Sequence, residues 1–228
     1  MNLKKIPLWI VDNPIISTVI VLVITAFFAL QLPRLEIDSS SEGLMVEKDP
    51  ARVYYEEIKK KFGSDNLTVV VLKSQDIFTT ETLETIQRLS NALLATPGVS
   101  RVESLTTVNN IKGEGDFLNT DPLVGEVPKE KEKILKIRSD ALGNSIFINN
   151  IVSKDGKVAA INAYTEAKPG DKTFNPNFTK LVDSLIEKEK REGVEIYQIG
   201  TPLTKVTLGE YIQADMVWLV PFAIGFLF

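Results

Sequence analysis

The chain contains no cysteine and no histidine among its 228 residues. Without thiols there is no disulfide scaffold, thiolate metal centre or cysteine nucleophile, and without imidazole there is no histidine ligand or histidine general base. Glycine and proline, at 13 and 11 residues, stay at ordinary levels, which excludes collagen-like and low-complexity chains. Charge is also missing, but only locally. Asn13 to Pro33 and Met216 to Phe228 hold no charged side chain, so all but three of the charges fall between Arg34 and Asp215. The pattern is that of a membrane chain carrying a large polar domain.

Between Asp12 and Arg34 lie 21 uncharged residues, 14 of them Ala, Val, Ile, Leu or Phe. As one helix they would cover about 30 Å, one hydrocarbon thickness. A signal peptide would share Lys4 and Lys5 but would have a shorter apolar core and small residues at a cleavage site, where this chain has Phe27, Phe28 and Leu30 around Ala29. A first transmembrane helix is the preferred reading of residues 1–33. Lysines in the short tail hold that tail in the cytoplasm and send the rest outward. The outward part, residues 34 to 215, carries 24 basic and 29 acidic side chains and no basic stripe for nucleic acid.

After Asp215 come 13 uncharged residues, enough helix for about 20 Å and too little to span. Trp218 suits the headgroup level. Pro221 is expected early in this second helix, where it costs few backbone bonds. The expectation is a truncated second span, and hence a fragment of a longer membrane protein.

The domain between the ends reads element by element. Asp49 and Pro50 start a helix whose Ala51, Tyr54, Tyr55, Ile58 and Phe62 share one face, expected at a core or its rim. Leu67 to Lys73 is a continuous apolar run expected to be a strand covered on both faces. Thr79 or Thr80 caps a helix with Leu83, Ile86, Leu89 and Leu93 as its buried stripe, and Pro97-Gly98 stops it. Ser100 to Thr107 is a weaker strand. Val108 to Ser145 reads as an insertion with one solvated helix near Lys129 to Asp140, its Phe117 to Val127 flank being the better candidate for touching a ligand or neighbouring domain. Ile146 to Ser153 and Lys157 to Thr165 form a hairpin about Asp155-Gly156. Asn175 and Pro176 open a helix with Phe178, Leu181, Val182, Leu185 and Ile186 on its buried face, and Val194 to Ile199 closes the domain.

This order predicts an α+β fold, a ferredoxin-like split βαβ sandwich with both helices on one sheet face and one extra edge strand. The domains are residues 1–33, 34–202 and 203–228, the last an amphipathic lead into the second span. No residue pair at catalytic spacing is found: Ser39, Ser40 and Ser41 have no base beside them, and an anchored hydrolase would need a serine-lysine or paired-carboxylate site.

One span, a split βαβ domain, Gly200-Thr201-Pro202, Asp215 and Pro221, in that order, resemble the amino-terminal part of an RND-superfamily exporter of the MMPL or hydrophobe-exporter type. Ile37-Asp38-Ser39-Ser40, Asp49-Pro50, Phe62-Gly63-Ser64-Asp65 and Thr96-Pro97-Gly98-Val99 add to the similarity. The resemblance implies a multi-pass transporter of the inner (plasma) membrane with two related halves, each having one span, an extracytoplasmic porter domain and five further spans. It implies no enzyme and no cofactor. The partners it implies are the bilayer, a hydrophobic or amphiphilic substrate, and the remaining spans and second porter domain of the parent chain; nucleic acid is not among them, and homo-oligomerisation stays open. The family's proton-carrying carboxylates have no counterpart in either apolar end, so Gly200, Pro202, Asp215 and Pro221 are expected to be structural. The competing reading is a membrane-anchored extracytoplasmic sensory or ligand-binding domain.

Overall fold

The computed structural model describes residues 10–31, 49–62, 66–114, 117–166, 171 and 173–227. The chain divides into two compact units, Met1–Asp38 and Ser39–Phe228.

The first unit contains helix α1, Pro14–Ala29, with proline at its start, where the missing N–H costs nothing. Its 16 residues rise about 24 Å. Ile15, Val19, Leu22, Val23 and Phe28 are all exposed, so apolar side chains are open around its circumference. Among the described residues no helix is long and apolar enough to cross a membrane. The 21-residue span expected over 13–33 is therefore present as a shorter helix, closed by a turn at Leu30 and Gln31, and residues 32–48 with their Ser39-Ser40-Ser41 run lie outside the described residues.

The second unit opens with α2, Pro50–Phe62. Asp49 caps it, its Oδ1 accepting from the Ala51 N–H at 2.8 Å. On the face expected at a core or its rim, Tyr54 is 65% exposed and Ile58 37%, while Tyr55 is half-buried.

Four strands follow, interleaved with two helices: β1 Leu67–Ser74, α3 Thr80–Leu94 and β2 Val99–Glu103, then β5 Val158–Thr165, α5 Phe174–Glu189 and β6 Val194–Gly200. The sheet order is β2-β5-β1-β6, with every neighbouring pair antiparallel. Each crossover skips one strand, so the two βαβ units interlock as the split βαβ arrangement. The fold is α+β with a four-stranded antiparallel sheet.

The side-chain alternation of β1 sets the layers. Thr68, Val70 and Leu72 are fully buried, and Ala159, Ile161 and Ala163 of β5 and Ile196 of β6 join them on that face. Leu83, Ile86, Leu89 and Leu93 of α3 and Phe178, Val182 and Ile186 of α5 pack over it. A fully buried side chain of this kind contributes about 1.5–3 kcal/mol. Thr79 caps α3 by accepting from the Thr82 N–H at 3.2 Å. At α5 the expected Asn175 cap is displaced. The helix begins at Phe174, and Asp171 Oδ1 accepts from the Thr173 and Phe174 N–H groups at 2.9 and 3.1 Å. Asn175 and Pro176 sit in its first turn. The Arg88 guanidinium ties α3 to α5, donating to both carboxylate oxygens of Glu189 at 2.9 and 2.7 Å.

The other face of the sheet departs from expectation. Leu67, Val69 and Val71 are only half-buried, and Tyr197 and Ile199 beside them are 51% and 53% exposed. The run of valines reads as a strand covered on both sides, but α3 and α5 occupy one side only.

The insertion holds a short hairpin, β3 Lys112–Glu114 with β4 Phe117–Asn119, and helix α4, Lys131–Gly143. Leu123 and Val124, expected to be available to a ligand, are buried in the core instead. Arg138 of α4 clamps it to the domain through Asp76 at 2.8 Å. The turn at Asp155-Gly156 forms, with Gly156 at φ +69° and the Ser153 hydroxyl donating to Asp155 at 2.6 Å. Its first arm is not the extra edge strand expected, because Val152 makes only isolated bridges to Ile148 and Ala159.

Candidate functional site

Of the four positions expected to be structural, Gly200 ends β6, and Pro202, Asp215 and Pro221 lie along the helix that follows it. Helix α6, Thr201–Leu227, starts on the residue after β6 ends and runs for 27 residues, so the expected amphipathic lead and second span are one helix rather than two pieces.

Gly200 makes the junction. It closes β6 opposite Thr68 of β1, with φ +128°, a conformation that L side chains rarely adopt. A Cβ there would lie 2.1 Å from the Leu67 carbonyl oxygen and 3.0 Å from the Thr68 Cα. Both obstacles are backbone, so neither can swing aside. The Thr204 hydroxyl donates to the Gly200 carbonyl at 3.0 Å, and Pro202 is buried in the first turn, where its lack of an N–H is harmless. The start of α6 packs on α5 and against the ends of β1 and β6. Burial fades along it: Ile212 is half-buried, and every residue described from Gln213 onward is exposed.

Asp215 is exposed and is the last charge on the helix. Pro221 lies inside α6 and not near its start. The expectation placed the helix start near Met216; with the start at Thr201, the proline removes an interior i→i−4 bond, leaving the Val217 carbonyl without its helical donor at a cost of about 3 kcal/mol. A proline is tolerated there most readily where neighbouring structure supplies other partners.

A second feature is the open face of the sheet, which is apolar at its centre and polar at its margins. Tyr197 and Ile199 face Val71 and Val69 across the β1–β6 pair. Glu195 accepts from the Tyr197 hydroxyl and pairs with Lys73 Nζ at 3.3 Å. Those contacts, the tyrosine first, hold the Glu195 carboxyl below its usual range, and the same hydrogen bond raises the phenol of Tyr197. On the far side Arg101 lies over the Tyr164 ring at 4.1 Å while the Tyr164 hydroxyl donates to Glu103 at 3.2 Å. An open hollow of about 420 Å³ runs beside β6, lined by Lys190, Arg191 and Val194 to Tyr197. At the opposite end of α5, a cleft of about 200 Å³ lies between Pro97, Phe174, Phe178 and Leu181, with the two phenylalanine rings stacked at 5.6 Å.

Among the described residues no three acidic side chains converge on a point that could hold a metal ion. The residues missing from the sequence reading are the obstacles themselves, the Leu67 carbonyl and Thr68. The only hint of them was a glycine followed by Thr-Pro, which reads as turn punctuation.

No family model matches the chain. It is similar to a protein of Methanocaldococcus jannaschii named "Putative membrane protein MJ1562", with 20% identity over 224 residues, covering 92% of this chain and 54% of that protein. The chain thus spans about half the length of the relative it matches.

Proposed function

We propose that the chain is the membrane-tethered, amino-terminal part of an RND-type exporter of hydrophobic or amphiphilic molecules, in which the split βαβ unit serves as an extracytoplasmic porter domain. The observation that carries this reading is α6. A helix grows out of the last strand without a linker, is pinned there by Gly200, and carries no charge after Asp215. A porter domain must be moved by the membrane part, and a continuous helix docked on α5 is the means of moving it.

Two further observations support the tether. Helix α1 is apolar on all sides with its side chains open, and such a helix needs an apolar surrounding. Its 16 residues fall short of about 30 Å, which local thinning of the bilayer would make up. The relative in Methanocaldococcus jannaschii bears a membrane-protein name and is about twice as long. In this reading the chain sits in the plasma membrane with its main domain outside, performs no catalysis, and draws its energy from ionisable groups on spans beyond these residues, because the two apolar ends contain none.

The same helix would serve a sensory domain, whose output is also a displaced span. Dye retention in cells producing the complete parent protein separates the two. An exporter lowers the retention of a hydrophobic dye only while a proton gradient is maintained, and a protonophore restores it. Retention indifferent to both the protein and the gradient would sink the exporter reading and leave the sensory one.

A further inference from the structure

Most buried polar side chains of the sheet domain are bonded. Thr82 and Thr85 each accept from the Arg191 guanidinium at 3.2 Å. Ser90 donates to Ser104 at 2.8 Å, Asn162 to Asn150 at 3.2 Å, and Thr165 to the Asn66 carbonyl at 3.3 Å. Thr68 and Thr179 are the exceptions among the described residues: they are 1% and 5% exposed, and their hydroxyls have no partner. A third enclosed atom, Asn175 Oδ1, is also without one. Burial without a bond forfeits the hydrogen bonds that water would supply, so such atoms weaken the packing that covers them.

All three atoms lie at the root of α6. Thr68 is the β1 residue that pairs with Gly200, and its Cα is among the atoms crowding that glycine. Gln198, two residues earlier on the same face of β6, donates to the Thr179 carbonyl at 3.2 Å, which sets Thr179 beside the last residues of the strand. Asn175 comes one helical turn before Thr179 and shares its face of α5. The start of α6 packs on α5 and against the ends of β1 and β6, with Pro202 buried in its first turn. It therefore touches both elements that carry the unpaired atoms.

We propose that the root of α6 is a hinge that opens ahead of the rest of the domain. Its first turn lifts from α5 and from the end of β1, water reaches Thr68, Asn175 and Thr179, and the hydrogen bonds formed there offset part of the packing lost. A joint closed over apolar side chains alone would gain nothing from water; this one is sealed over atoms that are better bonded when it is open. Thr68 and Thr179 set the ease of opening, because valine has their shape and a similar helix propensity but no hydroxyl. Gly200, held at φ +128°, is the backbone pivot. The hinge goes beyond the exporter reading and holds whether or not the far end of α6 lies in lipid.

Hydrogen exchange, followed by mass spectrometry on the full chain in detergent solution, reads the opening directly. In the parent, a peptide over 198–207 is expected to exchange faster than one over 159–163, at the centre of the sheet, by roughly tenfold or more. Thr68→Val and Thr179→Val should each slow the 198–207 peptide by roughly tenfold, while Thr179→Ser, which keeps the hydroxyl, should not slow it. Protection of 159–163 in the same samples reports that each variant is folded. A 198–207 peptide as protected in the parent as 159–163 would overturn the hinge, since no separate opening would exist. So would a valine variant whose 198–207 exchange is unchanged or faster. Loss of protection at 159–163 in either valine variant would overturn it as well, because it would show that the hydroxyls hold bonds the fold needs.

Discussion

The backbone carbonyl of Leu67 occupies the space that a side chain on Gly200 would need, 2.1 Å from the position of its first carbon. Gly200→Ala must therefore separate β1 from β6 at the point where α6 begins, or flip a peptide. A loss of about 3 kcal/mol or more is expected in urea unfolding. Gly193→Ala is the control, since that glycine also has a left-handed conformation, φ +79°, but nothing within 4 Å of the added carbon. It should lose only the conformational strain, about 1 kcal/mol. Equal losses at the two positions would show that backbone conformation alone, and not the Leu67 carbonyl, fixes the junction.

The two faces of the sheet should answer differently to truncation. Leu72 is wholly enclosed beneath the helices, whereas Ile199 is 53% exposed on the open side. Leu72→Ala should cost about 2–5 kcal/mol, and Ile199→Ala less than about 1 kcal/mol. The comparison is made on chemical denaturation curves. A costly Ile199→Ala would reveal that another surface covers the open face.

The Arg88–Glu189 contact has a pH signature. The bond from Arg88, with its charge, holds the Glu189 carboxyl below its unfolded value. A depressed acid adds stability above its unfolded pKa, near 4.3, and loses it as the pH falls through the folded value. Arg88→Gln should therefore lower the melting temperature at neutral pH, by an amount corresponding to no more than about 1 kcal/mol because the arginine is half exposed to solvent. The gap between variant and parent should close below about pH 4. A gap that persists in acid would mean that packing of the arginine stem, and not its charge, joins α3 to α5.

Membrane tethering by α1 predicts that the full chain stays in the membrane pellet after an alkaline wash. Val23→Asp places a carboxylate at the middle of the helix, where insertion is opposed by about 2.5–3.5 kcal/mol, and should shift a large part of the chain to the wash. Retention of the variant equal to that of the parent would remove α1 as the anchor.

The elements that local chemistry specifies were readable, and those set by distant partners were not. Thr79, the stripe from Leu83 to Leu93, and Pro97-Gly98 define α3 completely within about 20 residues, because cap, period and stop all act locally. The valines of β1 announced a strand but not its one-sided cover, which depends on where α3 and α5 settle. Leu123 and Val124 looked available because nothing nearby in sequence shows that the core closes over them. Gly200 was singled out by its setting in Gly-Thr-Pro. Its reason is a carbonyl from the start of β1, across the whole domain in sequence. The hairpin of β3 and β4, with three residues per strand, has too short a pattern to register.

The seamless join between β6 and α6 has a mechanical consequence. Twenty-seven helical residues reach about 40 Å from a pivot at the sheet edge, so a swing of about 10° there carries the far end through roughly 7 Å. Under the membrane reading proposed above, sideways travel of that size at the far end would arrive at the β1–β6 pair as a small torque on the sheet edge.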